Sequence, residues 1–160
     1  MIPMTIHKVA ATPWKVDEDG KNLSRTVVLQ TTFGERRQIF SITRADRPDG
    51  RKALGVLIVT NFKVLELGND GSNAGEGSWL AVVLKHNEQK LTNFACQCSD
   101  IDAGSLLTVA EPEHLEPLMG GLLSGLSLTF ELYGPDGLVD TVYLPGSDEF
   151  PDIFTKFWTK

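Results

Sequence analysis

Two cysteines separated by one residue, Cys96 and Cys98, are the side chains of this sequence with the most direct chemical potential. On a regular strand, residues at this spacing face the same side with α-carbons more than ~6 Å apart, at the outer limit of disulfide geometry. Three interpretations are open: free thiols that are buried or half-buried, a disulfide that is strained within the pair or links two chains, and a metal or redox site. Free cysteine behaves as a small hydrophobe, which favours the first. Zinc needs four nitrogen or sulfur ligands, and the sequence has no second cysteine pair.

The histidines offer little for acid–base or metal chemistry. His7, His86 and His114 are scattered, and no two of them stand four residues apart as in a helical metal pair. His86 is expected in a turn beside Asn87, and His114 in the first turns of a helix. Ser124 does not lie in the Gly-x-Ser-x-Gly elbow of a hydrolase. The sequence therefore predicts no catalytic residue, no cofactor and no metal ion.

A glycine-rich segment at 68–77 carries the oxygen-bearing side chains of Asp70, Asn73 and Glu76. It lacks the lysine and the glycine spacing of a phosphate-binding loop, and the twelve-residue spacing of a calcium loop. We expect a surface loop. The alternative is a weak calcium site or a contact with a partner through these three residues.

Short strands are predicted for most of the chain, and these strands must position the groups described above. Segment 126–133 alternates apolar and polar side chains, which is typical of a strand with one packed face and one wet face. The Gly-Pro-Asp-Gly turn at 134–137 should join it to 138–144 as a hairpin. Segment 54–60 is almost wholly apolar and is predicted to be a buried central strand. Further strands are expected at 14–16, 25–31, 37–43, 62–67, 79–85 and 90–95, with turns at 17–20 and 47–50.

Two helices are predicted from the spacing of apolar residues. The first covers 111–120, with Pro112 in its first turn and a Gly-Gly pair as its stop signal. The second starts near Ser147, which can cap it. Its apolar stripe either packs on the sheet or binds a partner, with Phe157 and Trp158 as the candidate contacts. The stripe comprises Phe150, Ile153, Phe154, Phe157 and Trp158.

Many short strands, frequent turns and only two helices predict a mainly β fold. We expect an antiparallel β-sandwich or a curved sheet with two short helices. A chain of 160 residues is most simply one domain, spanning 1–160. No apolar run approaches the ~20 residues of a membrane-spanning helix, so no membrane span is expected.

The chain is acidic, with a formal net charge of −6. Nucleic acid is not an expected partner, because that binding depends on neutralising phosphates with Lys and Arg. One basic cluster interrupts the acidity, and it is expected to be a solvated strand edge and loop, with an anion site as the alternative. The cluster comprises Arg36, Arg37, Arg44, Arg47, Arg51 and Lys52, interleaved with Asp46 and Asp49.

The second half of the chain has a suggestive order of elements: a cysteine pair after a strand, a short helix ending in small residues, a late hairpin and a closing aromatic helix. The residues concerned are 94–98, 103–106, 115–121, 126–144, 144–147, Phe150 and Phe154, with 14–16 near the start. In these features it resembles the invasion-associated locus B family, secreted or periplasmic β-sandwich proteins of bacteria linked to host-cell interaction. That family's cysteine pair is more widely spaced. The resemblance implies a non-enzymatic protein located in the periplasm or secreted.

Three hypotheses about function are consistent with these features. The first is a non-catalytic binding protein, exported, that contacts a protein partner through the polar face of 126–133 or through 68–77; a second copy of the chain, forming a homodimer, is one such partner. The second is an acidic cytoplasmic partner protein, such as a chaperone or an immunity protein, whose charge of −6 steers it to a basic protein. The third is a small enzyme with a site assembled from distant residues.

Overall fold

The fold is known from a computed structural model that describes residues 4–64 and 78–159. Within these residues no helix is long and apolar enough to cross a membrane. The helices are α1 (Pro112–Leu123) and α2 (Phe150–Trp158). The strands are β1 (Ile6–Ala11), β2 (Lys15–Val16), β3 (Asn22–Thr31), β4 (Gly34–Asp46), β5 (Lys52–Thr60), β6 (Ser78–His86), β7 (Gln89–Ile101), β8 (Gly104–Val109), β9 (Leu128–Gly134) and β10 (Gly137–Leu144).

All of these strands belong to one antiparallel sheet, in the spatial order β1-β3-β4-β5-β8-β7-β6-β9-β10, with β2 paired to β3. Alternation of buried and exposed side chains fixes the register. Leu23 and Val27 on β3 and Phe40 and Ile42 on β4 all point to the buried face. A slip of one residue would turn these side chains to solvent. The predicted mainly β fold is confirmed, as a single open sheet accompanied by two helices.

The sheet curves until β4 faces β10, although five strands lie between them in the spatial order. Arg36 Nη1 of β4 lies 2.8 Å from Asp140 Oδ1 of β10. Gln38 Nε2 donates a hydrogen bond of 2.9 Å to the carbonyl oxygen of Tyr143. The concave face encloses the core, whose fully buried side chains include Leu23, Ile42, Leu84, Leu107, Leu118, Phe130, Phe150 and Phe157.

α1 continues through Gly120 and Gly121, so the predicted stop at this pair was wrong. Gly121 is buried, and a Cβ built there would lie 2.6 Å from Leu84 Cδ2, so the missing side chain lets the helix approach β6 closely. The helix ends at Leu123. Gly125 follows with φ of +71°, the left-handed conformation that glycine adopts at low cost.

α2 begins three residues after the predicted cap. Ser147 accepts the backbone N–H of Phe150 through its carbonyl oxygen at 3.3 Å, and no side chain caps the helix at Glu149. Phe150 is buried with its ring centroid 4.8 Å from that of Trp14. The aromatic stripe therefore packs mainly into the core and closes one end of the curved sheet.

The predicted strand at 62–67 is not formed at 62–64, and its remainder lies outside the described residues. The backbone at 60–64 is instead held by buried side-chain oxygens. The amide of Val64 donates to Ser105 Oγ at 2.9 Å, and the amide of Ser105 donates to Thr60 Oγ1 at 3.1 Å. These bonds tie the end of β5 to the start of β8.

Candidate functional site

Cys96 and Cys98 lie on the inner face of β7 as free, buried thiols. Their cross-strand neighbours include Leu80 and Leu107, so the surroundings are apolar. Burial raises the pKa of the Cys96 thiol to about 12. Burial also raises the pKa of the Cys98 thiol to about 11, against the opposing effect of a hydrogen bond with Ser105. Since the thiolate is the reactive form, both groups are inert at neutral pH.

The buried thiols predict a loss of stability at alkaline pH. The unfolded chain releases thiol protons near the ordinary pKa of 9.0, whereas the folded chain keeps them until the pKa is about 11 or 12. The folded state therefore binds more protons in this window, and the free energy of unfolding falls as pH rises above 9, by at most about 1.4 kcal/mol per pH unit and thiol. Urea unfolding between pH 8 and 10.5 measures the slope. The double variant Cys96→Ala/Cys98→Ala should show a shallower decline, and an unchanged slope would contradict the assignment.

His86 at the end of β6 and His114 on α1 are each hydrogen-bonded to a backbone group. His86 Nδ1 donates to the carbonyl oxygen of Ser127 at 2.8 Å. His114 Nδ1 accepts the backbone N–H of Ala95 at 3.2 Å, and its ring centroid lies 5.8 Å from that of Trp79. In the part of the chain that the structure describes, no three His, Cys, Asp or Glu side chains are grouped to hold a metal ion.

A groove of about 440 Å³ lies where the hairpin of β4 and β5 meets α1 and the end of α2. Its floor is apolar. Leu115 and Met119 stand one turn apart on the buried face of α1, and Leu54 of β5 lines the same groove. Trp158, half-buried at the end of α2, forms one wall. We call this surface the hairpin groove.

The rim of the hairpin groove is basic. Arg47 and Arg51 adjoin each other at the neck of the hairpin, where the Arg47 amide donates to the Arg51 carbonyl oxygen at 2.7 Å. Lys52 Nζ donates to the carbonyl oxygen of Trp158 at 2.6 Å and lies 5.7 Å from the ring centroid. Three basic side chains and one acidic side chain, Glu116, line the groove. Asp49 at the hairpin tip lies 3.8 Å from Arg51 in an exposed ion pair, so the excess at the rim is one positive charge in a chain of net charge −6.

The basic residues that cluster in the sequence have two different roles in the structure: some stabilise the fold and others line the hairpin groove. Arg36 pairs with Asp140 and lies 4.0 Å from the ring centroid of Phe62. Arg44 Nη1 donates to the carbonyl oxygen of Phe157 at 2.8 Å, and its guanidinium lies 5.6 Å from that ring. These two arginines hold elements together, whereas the cluster members on the hairpin tip face the groove.

The residues predicted from the sequence to contact a partner are only partly found at the surface that the structure describes. Asp70, Asn73 and Glu76 lie outside the described residues. Phe157 is fully buried, so a partner on the surface would meet Trp158 and not Phe157. The aromatic residue of the predicted pair that lines the groove is therefore the last residue of α2.

The polar face of β9 is partly occupied by its own contacts. Glu131 forms an ion pair of 3.0 Å with Lys85 on β6. The hydroxyl of Tyr133 donates to Glu131 Oε1 at 3.0 Å, and this bond raises the pKa of Tyr133. These contacts stabilise the sheet surface locally and leave the hairpin groove as the stronger candidate site.

The apolar floor was missed by reasoning from sequence. Leu115 and Met119 follow the helical period and Leu54 follows the strand pattern, so each reads as an ordinary core residue. The one available signal was the basic cluster near the turn at 47–50, for which an anion site was the alternative interpretation. That signal indicates charge but not the helix that supplies the floor.

Comparison of the chain with family models, curated proteins and solved structures finds no match.

Proposed function

We propose that this protein is a non-catalytic binding protein that holds a protein partner in the hairpin groove. The observation that carries the proposal is the combination of an apolar floor with an exposed cationic rim at one place on the surface. Apolar contact supplies binding free energy, and the rim charges speed and orient the encounter. Arg and Trp are also the residue types that most often dominate binding energy at interfaces.

The groups best suited to proton transfer or nucleophilic attack support a binding role, because they serve the fold instead. Cys96 and Cys98 are buried with raised pKa values. His86 and His114 are hydrogen-bonded to backbone groups. The groove itself offers Glu116 as its single carboxylate.

The resemblance to the invasion-associated locus B family supports a more specific version of the proposal. In that version the protein is exported to the periplasm or secreted, and its partner belongs to the contact between a bacterium and its host. Burial would protect Cys96 and Cys98 from an oxidising environment, because a thiol with a pKa near 11 or 12 stays protonated. Fractionation of cells producing the chain tests the location.

A second candidate function is that of an acidic protein that binds a basic protein. The hydrogen bonds of some Arg and Lys side chains to backbone carbonyl groups favour it. Arg25 donates to the carbonyl oxygens of Thr12 and Pro145, and Lys63 donates to that of Ile101. Arg25 is buried by these contacts, so its positive charge is largely withdrawn from the surface, whereas Lys63 stays exposed. Exposed carboxylates remain on α1 and at the start of α2, at Glu111, Glu113, Glu116, Asp148, Glu149 and Asp152.

The proposal is tested by quantitative affinity purification from the organism that encodes the chain. We expect one or more proteins to be retained by the wild type and lost by the double variant Arg47→Glu/Arg51→Glu, because this change reverses the rim charge without touching the floor. The matched control is Arg37→Glu/Lys90→Glu, which changes the net charge by the same amount at exposed positions outside the groove. Partners retained equally by both variants would overturn the assignment of the groove.

The same purification separates the two candidate functions. A basic partner that survives Arg47→Glu/Arg51→Glu and is lost on Glu113→Lys/Glu149→Lys supports the acidic-partner function. Weaker retention at 0.5 M salt is expected in either case, because the Debye length then falls below about 5 Å and the exposed charges are screened.

A further inference from the structure

We infer that the hairpin groove binds a segment of a partner protein in which carboxylates flank an apolar side chain, an inference that rests on the proposed function. The first support is charge. Arg47 and Arg51 are exposed and adjoin each other at the hairpin neck. The ion pair of Arg51 with Asp49 is long, 3.8 Å, and exposed, so it is weak and leaves the guanidinium accessible to a second carboxylate. A carboxylate placed between two guanidinium groups accepts charge-assisted hydrogen bonds from both. The acidic charge of the rest of the chain would repel the same segment elsewhere on the surface.

The second support is the depth of the floor. Leu115 and Met119 are buried among their neighbours but face the groove, so an apolar side chain entering there meets aliphatic carbon and a flexible thioether. Methionine adapts its shape to the group that it contacts. Trp158 offers the face of a large ring on one side, and it is held there by Lys52 and by stacking on Phe154 at 6.1 Å.

The third support concerns the size of the occupant. Six of the eleven lining residues are exposed, so the groove is open along one side. A small ligand normally needs 70–90% of its surface enclosed, which an open groove does not provide. A polypeptide segment lying across the opening needs only one anchoring side chain inside it. The geometry therefore favours a segment of protein over a free amphiphile.

Glu116 sets the direction of binding. It is exposed and lines the groove from α1, whereas the two arginines line it from the β4–β5 hairpin. A carboxylate of the partner would be repelled from α1 and attracted to the hairpin. The acidic residues of the segment should accordingly lie over the β4–β5 turn, with the apolar anchor pointing toward Met119.

Titration of the ¹⁵N-labelled full chain with capped hexapeptides tests the inference. The probes are Glu-Glu-Leu-Phe-Glu-Glu, its charge reversal Lys-Lys-Leu-Phe-Lys-Lys, and Glu-Glu-Ser-Ser-Glu-Glu, which lacks the apolar anchor. We expect the first probe to shift the amide signals of Leu115 and Met119 and the indole signal of Trp158. The other two probes should bind at least tenfold more weakly.

The variants used in the purification serve here as controls. Arg47→Glu/Arg51→Glu should weaken the first probe at least tenfold, and Arg37→Glu/Lys90→Glu should change its affinity less than twofold. Equal binding of the lysine probe, or no shifts at the groove with the glutamate probe at 5 mM, would overturn the inference. If purification still shows a groove-dependent partner, the proposed function stands and only the chemistry of the segment is wrong. If purification shows none, the proposed function itself fails.

Discussion

Replacement of Gly104 by alanine is expected to lower the free energy of unfolding by about 4 kcal/mol or more, enough to leave little folded protein. A Cβ at this position would lie 1.6 Å from the carbonyl oxygen of Thr60 and 3.1 Å from the α-carbon of Asn61. Both neighbours are backbone atoms that cannot rotate away. Thr60 is also fixed by its hydroxyl, which donates to the Phe62 carbonyl oxygen at 2.7 Å and accepts the Ser105 amide. Relief of the clash requires separation of β5 from β8.

Gly120→Ala is the matched control for this substitution. Gly120 is exposed inside α1, and a Cβ there would meet nothing within 4 Å. Alanine should stabilise the helix by about 1 kcal/mol, because glycine is the weaker helix former in a helix interior. Urea unfolding of both variants at neutral pH measures the difference. A Gly104→Ala variant as stable as the wild type would contradict the close approach of β5 and β8.

Removal of the Asp140 carboxylate should cost about 2 kcal/mol of stability, the scale for a nearly buried polar group left without its hydrogen-bond partner. The side chains of Arg36 and Asp140 are only 13% and 14% exposed, so Asp140→Ala leaves a poorly solvated guanidinium without its anion. The same substitution removes the acceptor of the Thr141 amide, which lies 2.7 Å from Asp140 Oδ1. The pair joins β4 to β10, and its loss weakens the curvature that encloses the core.

Two further variants identify the origin of this loss. Glu35→Ala breaks an ion pair with Arg37 whose side chains are 48% and 57% exposed, so stability should change by less than about 0.5 kcal/mol. The double variant Arg36→Met/Asp140→Leu should recover most of the loss, since two apolar groups replace the buried pair. If Asp140→Ala proves as mild as Glu35→Ala, the β4–β10 contact does not close the sheet in solution.

The local pattern of the sequence was sufficient to predict several strands. In β9, Leu128, Phe130 and Leu132 are buried as their strict alternation indicates, because a two-residue period is the direct consequence of strand geometry. The turn at 134–137 was equally clear, since Gly137 adopts φ of +117°. Turn-forming residues and the two-residue alternation of a strand are local properties of the sequence, so both can be recognised without knowing which segments pack nearby.

Other elements depend on partners that lie far away in the chain. β1 was missed because it is an edge strand whose residues after Ile6 are all exposed, so no alternation marks it. β8 was missed although Ser105, Leu107 and Val109 alternate inward, because it is short and begins with glycine, which is depleted in strands. Its pairing with β5 and β7 is set by burial and not by local propensity.

The hairpin groove belongs to this second class. It joins the β4–β5 turn to α1 and to Trp158. α1 begins more than fifty residues after β5 ends, and the β9–β10 hairpin separates α1 from Trp158. Only the three-dimensional arrangement distinguishes Arg47 and Arg51, which line the groove, from Arg36, which serves the fold. Sequence patterns give the charge of the cluster but not the use of each arginine.

The most direct test of the binding account is site-specific photo-crosslinking in the organism that encodes the chain. A benzophenone amino acid placed at Glu116 lies at the edge of the groove, and the same group at Asp136 reports on the exposed β9–β10 turn. The account predicts a discrete light-dependent adduct from position 116 that is absent from position 136 and is lost when Arg47→Glu/Arg51→Glu is added. No adduct from position 116, or one unaffected by the arginine substitutions, would contradict a partner in the hairpin groove.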